Sequence, residues 1–218
     1  MHHPVDRATV RRLRPFLLAA VVAMEAAGCG SSHQLLNMWK DPAYPRAPMS
    51  NVLVIAMKKD DAIRRLWEDQ FVQSLQKQGV SAVPSYRLFE KTYPDTQQVA
   101  RAVREHSFDG VIVTRRLPDQ TKTEYVPGYV HSEPVSTYNP WINAFYTDYV
   151  DIWEPGYTET SQVVRHRTDV WSTRDQGRMV WTGTSEVIDP TSSDQVSRYI
   201  AGMVVPELAK KQVIPGSK

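Results

Sequence analysis

The stretch NVLVIAM at residues 51–57 decides the fold of this chain. Every residue after Asn51 is apolar, so the run lacks the alternation of a strand with one face in water. A short, continuous apolar run of this kind predicts a strand that is buried on both faces. We therefore place this strand at the centre of a β-sheet.

Helix and strand patterns follow this strand. Asp60 or Asp61 can cap a helix that ends at Gly79. Its apolar residues recur at helical spacing on one stripe: Ile63, Leu66, Trp67, Phe71 and Leu75. Residues 80–83 then predict a short strand. The charges of Lys58-Lys59, ahead of the helix, are interpreted as a solvated helix start.

Two further elements complete the first half. Asp95 can cap a second helix that ends near His106, and residues 111–114 form another apolar strand. On the amino-terminal side, residues 35–39 predict a first strand that Asp41-Pro42 ends.

The second half predicts a hairpin and a helix. Residues 159–172 and 178–188 are two long strand candidates around the turn at 174–177. Asp194 opens a final helix, which Pro206 is expected to kink or break. The class is α/β, a single mixed β-sheet packed with helices in the order β-β-α-β-α-β-β-β-α, as one domain over residues 35–218.

Residues 1–28 have the three parts of a lipoprotein signal peptide: four arginines, the apolar run 16–24, and Ala26-Ala27-Gly28 before Cys29. The run is shorter than the roughly 20 residues that span a bilayer. We expect cleavage before Cys29 and lipid (diacylglycerol and palmitate) on its thiol. An ordinary signal peptide with an incidental cysteine is the alternative.

Ala26-Ala27-Gly28-Cys29 resembles the lipobox of bacterial lipoproteins, although Ala26 stands where leucine is usual. The resemblance implies a lipid-anchored protein with a short tether, residues 29–34. Gly30-Ser31 lacks the aspartate that retains many such lipoproteins in the inner membrane. This implies the periplasmic face of the outer membrane rather than the inner membrane.

Charge and motif content exclude several classes. Without residues 1–28 the chain has 22 basic and 22 acidic residues, so no basic surplus favours nucleic acid. Cys29 is the only cysteine, and no two histidines lie at metal-ligand spacing. His166 lies in a strand pattern, which favours a structural or solvent role. We therefore predict no enzyme activity, no catalytic residue, no metal and no cofactor.

Residues 125–157 hold nine of the 21 aromatic residues, four prolines, four acids and no Lys or Arg. We predict an irregular, aromatic and proline-rich insertion between two strands. Its aromatics could cover the sheet edge or the membrane-facing side of the domain, bind a partner, or enter lipid headgroups. The predicted partner-binding anchors are Trp141, Phe145, Tyr146 and Trp153.

Diffuse motifs resemble a group of uncharacterised bacterial lipoproteins: Trp39-Lys40-Asp41-Pro42, Val52-Leu53-Val54-Ile55, Arg64-Arg65-x-x-Glu68-Asp69-x-Phe71, Val83-Pro84-Ser85-Tyr86, Val111 to Thr114 and Val180-Trp181-Thr182-Gly183-Thr184. The element order also resembles the α/β domain of the penicillin-binding-protein activator lipoprotein, the curli-secretion lipoprotein and the Tol protein amino-terminal domain. These resemblances imply binding or assembly roles in the envelope.

The predicted function is that of a membrane-anchored periplasmic lipoprotein, a non-enzymatic binding or assembly factor of the cell envelope. Its expected partners are the lipid bilayer, through Cys29, and an envelope protein or cell-wall glycan. The alternative is an envelope hydrolase or glycan-binding enzyme with its site under the aromatic insertion.

Overall fold

The apolar run at 51–57 forms a strand inside a seven-stranded mixed sheet in the computed structural model. The structure describes residues 33–44, 47–90, 93–174 and 177–216. All of them belong to one unit of the chain, Ser32–Lys218. The strands are β1 (His33–Lys40), β2 (Asn51–Met57), β3 (Ser81–Pro84), β4 (Gly110–Arg116), β5 (Gln120–Val126), β6 (Tyr129–Asn139), β7 (Ala144–Glu154), β8 (Tyr157–Ser172) and β9 (Arg178–Ile188).

The sheet has the order β1-β9-β8-β4-β2-β3, and β5 pairs with the amino-terminal part of β8. Only the pairs of β2 with β3 and with β4 are parallel among the described strands, so the sheet is mixed. β2 and β4 are linked by helical crossovers, as parallel neighbours require. The predicted hairpin of β8 and β9 is confirmed, although residues 175 and 176 of its turn lie outside the described residues.

Three helices pack on this sheet: α1 (Asp61–Lys77), α2 (Thr96–His106) and α3 (Ser193–Lys210). The predicted caps are confirmed at Asp60, which accepts a hydrogen bond from Ile63 N, and at Asp95, which forms a full capping box with Gln98. Helix α3 begins one residue earlier than predicted, because Ser192 caps it. It continues through Pro206 to Lys210, so the proline does not break it.

The core lies on both faces of the central strand, as the run at 51–57 predicted. Val52, Val54 and Ala56 pack with residues of α1 and α3 on one side. Leu53 and Ile55 pack on the other side, against apolar residues of α2 such as Val99 and Val103. No helix among the described residues combines the length and the apolar character that crossing a bilayer requires.

The α/β class with one mixed sheet is therefore correct, and the predicted element order is correct except for the insertion. Residues 125–157 are not irregular, because β5 ends and β6 and β7 form within them as a two-stranded antiparallel sheet. The proline-rich sequence hid these strands, since proline is uncommon inside a strand pattern. Eleven-residue strands make this hairpin about 36 Å long, at ~3.3 Å per residue.

The predicted domain start at residue 35 is also wrong by two residues. Strand β1 begins at His33, and His33 and Gln34 pair with Val187 and Glu186 of β9. The segment between Cys29 and the sheet is therefore 30–32 rather than 30–34. Three residues reach about 10 Å, at ~3.3–3.6 Å per residue.

Candidate functional site

The four predicted anchors all lie on the hairpin of β6 and β7, which we call the arm (residues 129–154). Trp141 lies in the turn at its tip and is 94% exposed. Phe145, Tyr146 and Trp153 lie on β7, with 74%, 47% and 63% of their surface exposed. The interpretation that these aromatics cover the sheet edge is therefore wrong, because an aromatic side chain that covers a core is buried.

The strand register assigns the anchors to different faces of the arm. Directly paired residues share a face, and successive residues of one strand alternate between faces. Phe145 pairs with Tyr138, and Trp153 pairs with Val130, so these residues lie on one face. We call it the Trp face. Its larger side chains are Val130, Pro134, Tyr138, Phe145, Tyr149 and Trp153.

The opposite face is more acidic, and Tyr146 belongs to it. We call it the Tyr face; its larger apolar and aromatic side chains are Tyr129, Val135, Tyr146, Val150 and Ile152. Glu133, Asp148 and Glu154 share this face, whereas Asp151 is the one carboxylate of the Trp face and accepts a hydrogen bond from Ser132 Oγ. The sequence thus predicted one site, where the structure has two faces of unequal charge and a tip.

The arm does not roof a cleft on the sheet. Its side chains are exposed on both faces, apart from a few that are half-buried. The site predicted under the insertion therefore has no geometric support in the described part of the chain. Cys29, the predicted lipid attachment, lies outside the described residues.

A second candidate site lies at the carboxyl end of β2, where sequence reasoning expected only solvated charges. Lys58 is half-buried, and its Nζ lies 2.6 Å from Nε2 of His166 on β8. The ammonium also lies 3.7 Å from the centre of the Trp67 ring of α1. The rings of His166 and Trp67 stack at 4.3 Å. The interpretation of Lys58 as a solvated charge is therefore wrong, whereas Lys59 is exposed as predicted.

Burial dominates the electrostatics of this pair. It lowers the pKa of His166 to about 2, with smaller contributions from the charges of Lys58 and Arg116. The pKa of Lys58 is lowered to about 8, by burial and by Arg116. At neutral pH the histidine is therefore neutral and the lysine is charged, so Lys58 donates and Nε2 accepts.

These residues line a cavity with a volume of about 200 Å³, which we call the basic cavity. Its walls also include Arg116 at the end of β4, and Thr191, Ser192 and Ser193 at the start of α3. The residues come from four separate parts of the sequence, so no local motif marks the site. The available signal was the single histidine at the end of an otherwise apolar strand face.

The motif Arg64-Arg65-x-x-Glu68-Asp69 has a structural role in this protein. The carboxylate of Glu68 is fully buried and accepts hydrogen bonds from Ala56 N at 3.0 Å, Ser85 Oγ at 2.6 Å and Tyr86 N at 2.9 Å. Arg64 Nη2 donates to Phe89 O at 3.0 Å. The motif therefore fixes the end of β2 and the loop after β3 to α1. No group of three or more His, Cys, Asp or Glu that could hold a metal occurs among the described residues.

Comparisons with known proteins add little to this geometry. No family model matches the chain, and no curated protein matches it. Two crystal forms of a PelC dodecamer from Paraburkholderia phytofirmans are similar, at 11% and 10% identity, over 86% and 84% of this chain and 99% of that chain, each with a TM-score of 0.43. A PDZ domain protein from Parabacteroides distasonis ATCC 8503 has a TM-score of 0.36 and 10% identity, over 82% of this chain and 36% of that chain. Likeness at this level carries no functional argument.

Proposed function

We propose that this chain is a lipoprotein anchored through Cys29 at the periplasmic face of the outer membrane. There it acts as a non-enzymatic binding or assembly factor of the envelope. The arm is its docking element. The observation that carries the proposal is the exposure of the Trp face and of Trp141 at the tip.

Exposure of this kind is costly for a single chain. An isolated two-stranded hairpin is marginally stable in water, because it has no buried face. Large exposed apolar patches typically mark interaction sites, and Tyr and Trp are enriched among interface anchors. The Trp face carries four aromatic side chains and a single carboxylate, which makes it the better docking surface of the two.

The arm favours a protein partner. Among the described strands β7 pairs only with β6, so its outer edge carries unpaired backbone groups, and it contains no proline. Such an edge can add a strand of another protein. Pro134 makes the outer edge of β6 a poorer template, because proline has no N–H. The partner surface is expected to be apolar with a basic rim, because the arm has four carboxylates and no Lys or Arg.

Site-specific cross-linking tests the docking face. A photoreactive phenylalanine analogue is placed singly at each position from 145 to 153 of β7 in the full-length, membrane-anchored protein. We expect strong cross-links to one partner from positions 145, 149 and 153, and weak ones from 146, 148, 150 and 152. Uniform cross-linking, or a maximum on the Tyr face, would contradict the assignment.

A pair of double variants provides the matched control. Phe145→Ala with Trp153→Ala removes two aromatics of the Trp face, and Tyr129→Ala with Tyr146→Ala removes two of the Tyr face. Loss of an interface anchor costs about 2 kcal/mol, roughly 30-fold in affinity. We expect this loss only in the first variant.

The anchor is tested independently of the arm. Metabolic labelling with a tagged fatty acid should mark the wild-type protein and fail to mark Cys29→Ser. Label on the serine variant would refute lipidation at this position and would leave the docking proposal to the cross-linking experiment.

A further inference from the structure

The basic cavity gathers positive charge that the docking function does not use. Lys58 and Arg116 are both among its lining residues, and none of the lining residues is Asp or Glu. Arg116 donates from Nε to Asp119 Oδ1 at 3.1 Å, so its charge is partly compensated. Lys58 has no carboxylate within 4.0 Å in the described part of the chain. Its partners are a neutral imidazole and an indole ring.

An ammonium in such a place is unusual for a purely structural group. A charge that leaves water is stabilised in proteins by an opposite charge, and unpaired buried charges are destabilising. The imidazole and the indole orient the ammonium, but neither neutralises it. His166 is itself 1% exposed, and its Nδ1 has no hydrogen-bond partner among the described residues. The cluster is therefore incomplete without a further polar group.

The start of α3 forms the opposite wall of the cavity and has the same preference. The first N–H groups of a helix have no partner within the helix and carry partial positive charge. Ser192 Oγ accepts from Gln195 N at 3.1 Å, and Val196 N donates to Ser192 O. The N–H groups of Ser193 and Asp194 remain at the end of the helix. The Asp194 carboxylate forms an ion pair with Arg198 at 2.8 Å.

We infer that the basic cavity binds the phosphate group of a small phosphomonoester. Lys58 supplies an oriented ammonium, Arg116 a second positive charge, and the first turn of α3 supplies N–H donors and the Ser193 hydroxyl. Phosphate is favoured over a flat carboxylate because the donors come from opposite walls of the cavity. A tetrahedral group with three acceptor oxygens can contact all of them.

The test uses the full-length protein in detergent and measures its melting temperature against increasing inorganic phosphate, with sodium chloride at matched ionic strength. Phosphate should raise the melting temperature, because a ligand that binds only the folded state stabilises it. Lys58→Met should weaken binding about tenfold or more, the usual effect of losing one hydrogen bond to a charged group. No stabilisation of the wild-type protein by phosphate overturns the proposal.

Lys59→Met is the matched control, since the neighbouring lysine is exposed. It should bind phosphate like the wild type. Without phosphate, Lys58→Met should melt at the same temperature as the wild type or higher, because it removes a half-buried charge without a counter-ion. A strong decrease, with the response to phosphate retained, would show that Lys58 is structural, and would refute the proposal.

Glycerol 3-phosphate, a soluble fragment of a phospholipid headgroup, distinguishes the sources of the phosphate group. Affinity at least tenfold above that of inorganic phosphate, and dependent on Lys58, indicates a headgroup or a related ester. Equal affinities indicate that the phosphate group alone is recognised. Both results support the site, whereas binding that is unchanged in Lys58→Met contradicts it.

Discussion

The arm and the seven-stranded sheet place similar residues in opposite environments. Trp181 on β9 is fully buried beneath the helices, whereas Trp153 on β7 is 63% exposed. Both lie in antiparallel strands of eleven residues. The difference shows that local sequence decides whether a strand forms, and that the elements packed on its face decide what the strand contributes. The sheet contributes stability, and the arm contributes surface.

The largest expected effect is on the tryptophan of the sheet. Trp181→Ala should lower the free energy of unfolding by about 3–5 kcal/mol, because it leaves a large cavity in the core. Trp153→Ala should change it by about 0.5 kcal/mol or less, as is usual for an exposed side chain. Urea denaturation of the two variants measures both values. Similar losses would mean that the arm packs against the body of the domain.

The buried carboxylate of Glu68 sharpens the comparison, because the arm has four carboxylates that are exposed. Glu68→Ala leaves three buried donors without an acceptor and should cost about 3 kcal/mol. Asp148→Ala on the arm should cost almost nothing, since exposed surface substitutions rarely do. Burial raises the pKa of Glu68, so its contribution to stability decreases as the pH rises above 4.5. Glu68→Gln should therefore show a flatter dependence of stability on pH there.

His166 should make the body, and not the arm, sensitive to acid. Its pKa is about 2 in the folded protein and near 6.5 in the unfolded chain, so only the unfolded chain takes up a proton between these values. Stability therefore falls as the pH falls below 6.5, by about 2 kcal/mol between pH 6.5 and 5. Urea denaturation at both pH values should show this loss in the wild type and less of it in His166→Gln. The exposed His106, changed to Gln, is the control, and an equal effect there would refute the assignment.

The regular elements were predictable because their signals are local. The apolar run at 51–57, the caps at Asp60 and Asp95, and the hairpin of β8 and β9 are each encoded within a few neighbouring residues. The arm was located in the sequence but not recognised as strands, since Pro134 and the two-sided aromatic pattern obscure the alternation. The faces of the arm depend on register, which only the pairing of β6 with β7 defines.

The basic cavity was not predictable for a different reason. Lys58, Trp67, Arg116 and His166 are separated by up to 108 residues, and each has an ordinary role in its own local pattern. Only the crossing of β2, β4 and β8 beside α1 brings them together. Their polar groups gain significance from burial, and burial is a property of the packed fold.

The smallest expected effect on global stability concerns the base of the arm. Gly128 lies where the paired strands β5 and β8 continue into the arm, and a Cβ there would lie 2.5 Å from Glu154 O and 2.7 Å from Gly156 N. These are backbone atoms, so Gly128→Ala must shift the two strands apart at the base and redirect the arm. Because the arm contributes little to the core, the free energy of unfolding should change by about 0.5 kcal/mol or less. Partner cross-linking from position 145 should nevertheless fall sharply. Gly202→Ala in α3 is the matched control: its Cβ meets nothing within 4 Å. Alanine is also the better helix former by about 0.5–1 kcal/mol, so that variant should be more stable and should cross-link normally. A large loss of stability in Gly128→Ala would mean that the arm and the sheet fold as one unit, whereas unchanged cross-linking would mean that the direction of the arm does not matter for docking.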